Sequence, residues 1–244
     1  MRYNYNPQIH NYKDPQIIVP IIMNYFAPSS VIDIGCGTGN FLAEFKKFGV
    51  QDVLGVDGDI HSSSLRMNNL TEEQFLQQDL NKQVKINKKF DIALCLEVGE
   101  HISRESSEDL VLSLINASDI IIFSAAIPLQ GGQYHINEQW QSYWSAKFEK
   151  HRFKPIDLIR PLIWNNPEIK YWYKQNMIVY VSYDYMSNKI STDSPIAYID
   201  IVHPDNYASQ VNYLQQILSG KARFIFYCYL LLKWVKSFFV KNAR

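Results

Sequence analysis

The segment Val31-Ile32-Asp33-Ile34-Gly35-Cys36-Gly37-Thr38-Gly39-Asn40-Phe41 constrains the fold most. An apolar β-like run passes into three alternating glycines and then into a helical pattern, so the chain must turn sharply from a strand into a helix. Glycine permits that turn and lets the backbone approach a ligand closely, while the following helix offers its free N–H groups and positive dipole end. Dinucleotide folds use such a helix end for a pyrophosphate with the spacing G-x-G-x-x-G. Here Asn40 stands where the third dinucleotide glycine would be. The spacing therefore points to a cofactor with a carboxylate and without a pyrophosphate.

Short β-like runs recur at Val31–Ile34, Val53–Val56, Phe75–Gln77, Ile92–Leu96 and Ile120–Phe123. Helical patterns lie at 14–26, Phe41–Phe48 and Ser106–Leu114. Strands alternating with helices imply an α/β fold, a mostly parallel, doubly wound sheet covered on both faces. A helix is expected over Asn137–Phe153, with late strands at Ile156–Ile159 and Met177–Ser182, the last running antiparallel in a seven-stranded sheet. The polar, turn-rich stretch Ser187–Ser194 marks a boundary, giving one domain over 1–186 and a C-terminal helical extension over 187–244.

The glycine loop gains meaning from its partners. Asp57 ends the second strand, where a carboxylate can accept both hydrogen bonds of a ribose diol. Asp79 and Leu80 follow the third strand, placed for an adenine amino group and ring edge. The fourth strand, running to Glu97, opens onto the same sheet edge, where open α/β sheets bind ligands.

With these motifs the stretch from Val31 to about Ser182 resembles a class I S-adenosylmethionine-dependent methyltransferase of Rossmann-like fold. The resemblance implies S-adenosylmethionine as cofactor and S-adenosylhomocysteine as product. It implies that Gly35, Gly37 and Gly39 cradle the methionine part and that Asp33 orients the amino-acid group. Asp57 would hold the ribose, and Asp79 with Leu80 the adenine.

Methyl transfer needs alignment, exclusion of water and removal of the acceptor's proton. Glu97-Val98-Gly99-Glu100-His101-Ile102 resembles the E-V-x-E-H segment of ubiquinone-type O-methyltransferases and small-RNA 2′-O-methyltransferases. In the RNA enzymes the two Glu and the His join a second His around a divalent cation, a set that Glu100, His101 and His135 would imitate. The segment around His135 is unlike those enzymes, so no metal is assigned. Otherwise Glu97 and Glu100 are helix N-terminal acids facing solvent. Gly131-Gly132 gives Ile127–Trp140 the look of a lid or acceptor loop, with His135 the first candidate for general base, His101 the second and Glu97 beside them.

Trp140, Tyr143, Trp144, Trp164, Trp172 and Tyr173 offer rings for stacking or for the core. The run Phe123–Pro128 with Gly131-Gly132, His135 and Asn137–Trp140 resembles methyltransferases associated with polysaccharide gene sets. That resemblance implies a glycan-type small-molecule acceptor, a sugar or a nucleotide-activated surface-glycan precursor. An RNA 2′-O-methyltransferase is the competing enzyme. A cofactor-binding scaffold without activity is the non-enzymatic alternative.

Charge bears on that choice. Basic and acidic residues number 24 each, but six basic and no acidic residues fall within 221–244, which leaves 1–220 with a net −6. The catalytic part thus has no basic stripe for nucleic acid. Three cysteines without metal-ligand spacing and an N-terminus lacking a signal-like apolar stretch point to the cytoplasm. The stripe Phe224, Tyr227, Cys228, Leu231, Val235 and Phe238, with Lys233, Lys236 and Lys241, suits either peripheral membrane contact or pairing of two copies. Its uninterrupted apolar run of nine residues is too short to span a bilayer.

Overall fold

In the computed structural model, which describes residues 12–58, 68–189 and 199–218, the chain order reverses at the centre of a seven-stranded sheet. The strands are β1 (Ser30–Ile34), β2 (Asp52–Asp57), β3 (Phe75–Gln77), β4 (Ile92–Leu96), β5 (Ile120–Ser124), β6 (Phe153–Ile156) and β7 (Ile178–Ser182). They lie in the order β3-β2-β1-β4-β5-β7-β6. The first five are parallel, and β7 runs antiparallel to both β5 and β6. The switch point falls between β1 and β4, whose carboxyl ends therefore open a crevice for a ligand.

Every residue of β4, β5 and β7 is buried, the signature of strands covered on both faces. Alternate side chains feed two cores. On one face Ile120 and Ile122 join Ile92 and Leu94 under α1 (Lys13–Phe26) and α2 (Asn40–Lys47), whose Ile18, Ile22, Phe41 and Phe45 reach them. On the other, Ile121 and Phe123 join Ile32 and Ile34 beneath α3 (Ser107–Ala117) and α4 (Gln141–Lys150), through Leu110, Leu114, Trp144 and Phe148.

The elements differ from the periodicity in three places. The sixth strand ends at Ile156 because Asp157 takes two hydrogen bonds from the Arg160 guanidinium, both 2.8 Å, and turns the chain into the short helix α5 (Arg160–Ile163). Helix α4 starts at Gln141, not Asn137, because the Asn137 amide donates to the Gly99 carbonyl and to Ser107 Oγ, both at 3.1 Å. Those bonds hold 137–140 against the β4 side of the sheet. Two further helices, α6 (Tyr171–Asn176) and α7 (Tyr183–Lys189), flank β7.

The chain divides into two compact units at His203–Pro204. The position 186–187 read from the sequence lies inside α7, and 199–203 return to the first unit. Arg160 donates to the Ile199 carbonyl at 3.1 Å, Gln141 to that of Ile201 at 3.0 Å, and the His203 N–H reaches Gln175 Oε1 at 2.9 Å. The second unit contains α8 (Pro204–Leu218), with proline at its first position as helix starts favour. The stripe from Phe224 to Phe238 lies outside the described residues. Among the described residues no helix is long and apolar enough to cross a membrane.

Leu94 sits fully buried in the central strand. Leu94→Ala is expected to lower the unfolding free energy by about 2–5 kcal/mol, read from the urea midpoint, because its neighbours on both sides are fixed in the sheet.

Candidate active site

The loop between β1 and α2 is held from both ends. Gly35 and Cys36 donate their N–H groups to the Val56 carbonyl at 2.7 and 3.1 Å, and the Gly37 N–H reaches Asp57 Oδ2 at 2.8 Å. Gly35 has φ +90°, and a Cβ there would stand 2.2 Å from Val98 Cγ2. The glycine is thus required both by conformation and by the approach of the loop after β4. Gly39, φ +76°, is the residue preceding α2.

This loop forms one wall of a cavity of about 400 Å³. Asp33, Gly35, Gly37, Asp57 and Leu80 line one end. Glu97, Glu100, His101 and His135 line the other, and Tyr171, Trp172 and Tyr173 complete the wall. The lining contains five carboxylates, counting Asp14, and neither lysine nor arginine among the described residues. Asp33 is 4 % exposed. Burial, reinforced by the neighbouring Asp57 charge, pushes its carboxyl up to about 7.

Two of the residues expected around the cofactor lie outside this lining. Gly39 shapes the helix start, and Asp79 is exposed, its Oδ1 accepting the Asn81 N–H at 3.0 Å. That backbone bond, above all, lowers its pKa. Leu80, its neighbour, does face the cavity.

The opposite end is built on a strained backbone. Glu97 leaves β4 with φ +55°, in the left-handed region, held by its N–H to the Ser124 carbonyl at 2.9 Å. Its carboxylate accepts Gln130 Nε2 and Asn176 Nδ2, each at 3.2 Å, and burial raises its pKa. Glu100 does not face solvent from a helix start. It is 1 % exposed, because the Ile136 and Asn137 N–H groups bond to its carbonyl at 2.9 and 3.1 Å and fold 127–137 over it. Among the described residues its Oε2 has no hydrogen-bond partner, and burial together with Glu97 holds its carboxyl well above the usual range.

The rings of His101 and His135 meet edge to face, centroids 4.9 Å apart. His135 Nε2 lies 4.0 Å from Glu100 Oε1, while Nδ1 lies 2.8 Å from Glu138 Oε1. One donor atom each from Glu100, His101 and His135 falls within 4.8 Å of the others, a spacing that can hold a metal ion. Of the aromatic residues singled out in the sequence, Trp172 and Tyr173 reach the cavity. Trp144 packs on Phe123 in the core, and Trp164 on His203. Sequence reasoning missed Asp14, Gln130, Tyr171 and Asn176. Only Gln130 carried a signal, its place in the Gly131-Gly132 loop.

A family model described as a methyltransferase domain matches residues 16–157. Among solved structures, DesVI of Streptomyces venezuelae is 13% identical with a TM-score of 0.56, over 74% of this chain and 100% of its own. The methyltransferase domain of a bacterial CtHen1 is 18% identical with a TM-score of 0.52, over 70% and 99%. Magnesium protoporphyrin IX methyltransferase of Synechocystis PCC 6803, solved with bound SAM, is 17% identical with a TM-score of 0.51, over 75% and 86%. At such identities the likeness is one of fold. No curated protein matches the sequence.

Asp33 makes stability depend on pH in a definite direction. The folded state keeps its proton up to about pH 7, whereas the unfolded chain releases it near 3.8. Folding therefore loses stability as pH rises through that window, by roughly 4 kcal/mol from this group alone. Glu97, Glu100 and Asp14, also raised by burial, act in the same sense. Chemical denaturation between these pH values should show a decline that Asp33→Asn makes markedly shallower.

Proposed function

This chain belongs to the S-adenosylmethionine-dependent methyltransferases of Rossmann-like fold, and we propose that its acceptor is a small polar glycan-type molecule, methylated on oxygen or nitrogen. The observation that carries this reading is a single cavity with two chemically distinct ends. A glycine loop flanked by Asp33 and Asp57 forms one, and a histidine bonded to a carboxylate stands at the other.

The residues fit the cofactor. Gly35 packs so closely on Val98 that any side chain would clash, which leaves bare backbone at the cavity edge for the cofactor to approach. Asp33 offers a buried carboxylate to an ammonium group. Asp57 offers its carboxylate at the end of β2 to a ribose, and Leu80 an apolar surface to an adenine, with Asp79 in the same turn. Bound there, S-adenosylmethionine supplies a methyl carbon activated by a sulfonium.

On the acceptor side His135 would accept through Nε2 the proton that the acceptor loses on methylation, S-adenosylhomocysteine being the leaving group. Glu97 and His101 confine the approach, and the 127–140 loop excludes water. Tyr171, Trp172 and Tyr173 offer ring faces to a sugar. Among the described residues, a lining of carboxylates without lysine or arginine favours the uncharged sugar end of a nucleotide-activated surface-polysaccharide precursor, and disfavours the phosphates of RNA. Such precursors suit a cytoplasmic protein. The basic, aromatic 221–244 stretch is a candidate for peripheral membrane contact or for pairing of two copies.

A second reading rests on the Glu100, His101 and His135 cluster and the unpartnered Glu100 Oε2, which would suit a divalent cation that orients the acceptor oxygen. Incubation with S-adenosylmethionine and a pool of sugars and nucleotide sugars tests both. The expected product gains one methylene in mass, and His135→Ala lowers turnover roughly 10²- to 10⁴-fold while S-adenosylhomocysteine still binds. Turnover that a chelator abolishes and manganese restores would select the second reading. Methylation of RNA alone would overturn the glycan acceptor.

A further inference from the structure

Glu138 lies outside the cavity lining, yet its carboxylate gathers the acceptor loop around a single point. Oε2 accepts the Leu129 N–H at 2.8 Å. Oε1 accepts the Gly131 N–H at 2.7 Å and meets His135 Nδ1 at 2.8 Å. The loop needs this closure, since Leu129, Gly131 and Tyr134 have φ of +69°, +72° and +61°. For the two non-glycine residues such backbone is costly unless the surroundings impose it.

The same carboxylate decides the protonation of His135. An imidazole has one nitrogen as donor and one as acceptor when neutral. A carboxylate has no proton to donate, so in its 2.8 Å contact with His135 the imidazole is the donor and the ring proton resides on Nδ1. Nε2 is then the acceptor, on the ring edge that lies 4.0 Å from Glu100 Oε1. Two contacts stop the ring from turning over. The His101 ring stands perpendicular to it, and a Cβ on Gly132 would lie 2.2 Å from Nε2, so that glycine backs directly onto the imidazole.

We propose that Glu138 is a positioning residue of the transfer reaction, holding His135 as the Nδ1–H tautomer with Nε2 free of a proton and ready to accept one. This rests on reading His135 as the proton acceptor, and it assigns a role to a residue that touches neither cofactor nor acceptor. In this arrangement the carboxylate works through the histidine, orienting it and stabilising the imidazolium formed when the proton arrives.

The tautomer can be observed without knowing the acceptor. Two-bond proton–nitrogen spectra of the full chain labelled with ¹⁵N-histidine, at about pH 8.5 where an ordinary imidazole is neutral, distinguish the two forms. The His135 signal is identified by its loss in His135→Asn. It should show the Nδ1–H form in the native protein, persist in Glu138→Gln through the amide oxygen, and move toward the Nε2–H form in Glu138→Ala. Glu138→Asp, too short to reach Nδ1 while serving the loop, should shift it likewise and provides the result if the alanine variant fails to fold. An Nε2–H form in the native protein, or an Nδ1–H form unchanged in both Ala and Asp variants, overturns the proposal. With an acceptor in hand, turnover of Glu138→Ala should fall roughly 10- to 100-fold. Unchanged S-adenosylhomocysteine binding in these variants separates failure of this role from failure of the methyltransferase site.

Discussion

The 2.8 Å bond from the Gly37 N–H to the Asp57 carboxylate joins the loop that leaves β1 to the end of β2. Around that joint the sheet reverses its order, α2 directs its N-terminus inward, and Val98 closes over Gly35. Removing the carboxylate would take this hydrogen bond from the buried Gly37 N–H and the anchor from the loop, at a cost of about 1–3 kcal/mol. The end of the cavity that we assign to the cofactor depends on this junction, and the end that we assign to the acceptor is placed relative to it through the adjacent strand β4.

The cavity holds its acids at a cost to the fold. Asp33, Glu97 and Glu100 are each raised by burial, with no lysine or arginine in the described lining to compensate. Hydrogen bonds from Asn176 and Gln130 relieve Glu97 in part. A ligand with an ammonium or sulfonium would relieve the rest, so binding and protonation are coupled at this site. The strained backbone at Glu97 belongs to the same balance, because packing in the sheet core fixes a geometry that the local sequence would not adopt alone.

Local features were legible in the sequence. The glycine loop, the strand-end Asp57 and the alternation of strands and helices depend on neighbours within a few residues, and the structure has the seven-stranded sheet that they imply. What stayed hidden depends on partners far along the chain. Glu100 looks like a solvent-facing helix acid until 136–137 fold over it, and Asn176 enters the site only because β7 returns beside β5. The sixth strand was misplaced because the Asp157–Arg160 pair, rather than hydrophobic periodicity, ends it. Asp79 keeps its strand-end position but spends one carboxylate oxygen on Asn81, a local competition that strand spacing does not reveal.

The central claim is that the loop anchored on Asp57 is the seat of S-adenosylmethionine. Calorimetric titration of the full chain with S-adenosylhomocysteine tests it most directly, with Asp57→Ala as the comparison. The account predicts one ligand per chain and an affinity at least about tenfold weaker in the variant, the loss of charge-assisted hydrogen bonds to a ribose. No binding by the native protein, or equal affinity in the variant, would contradict it.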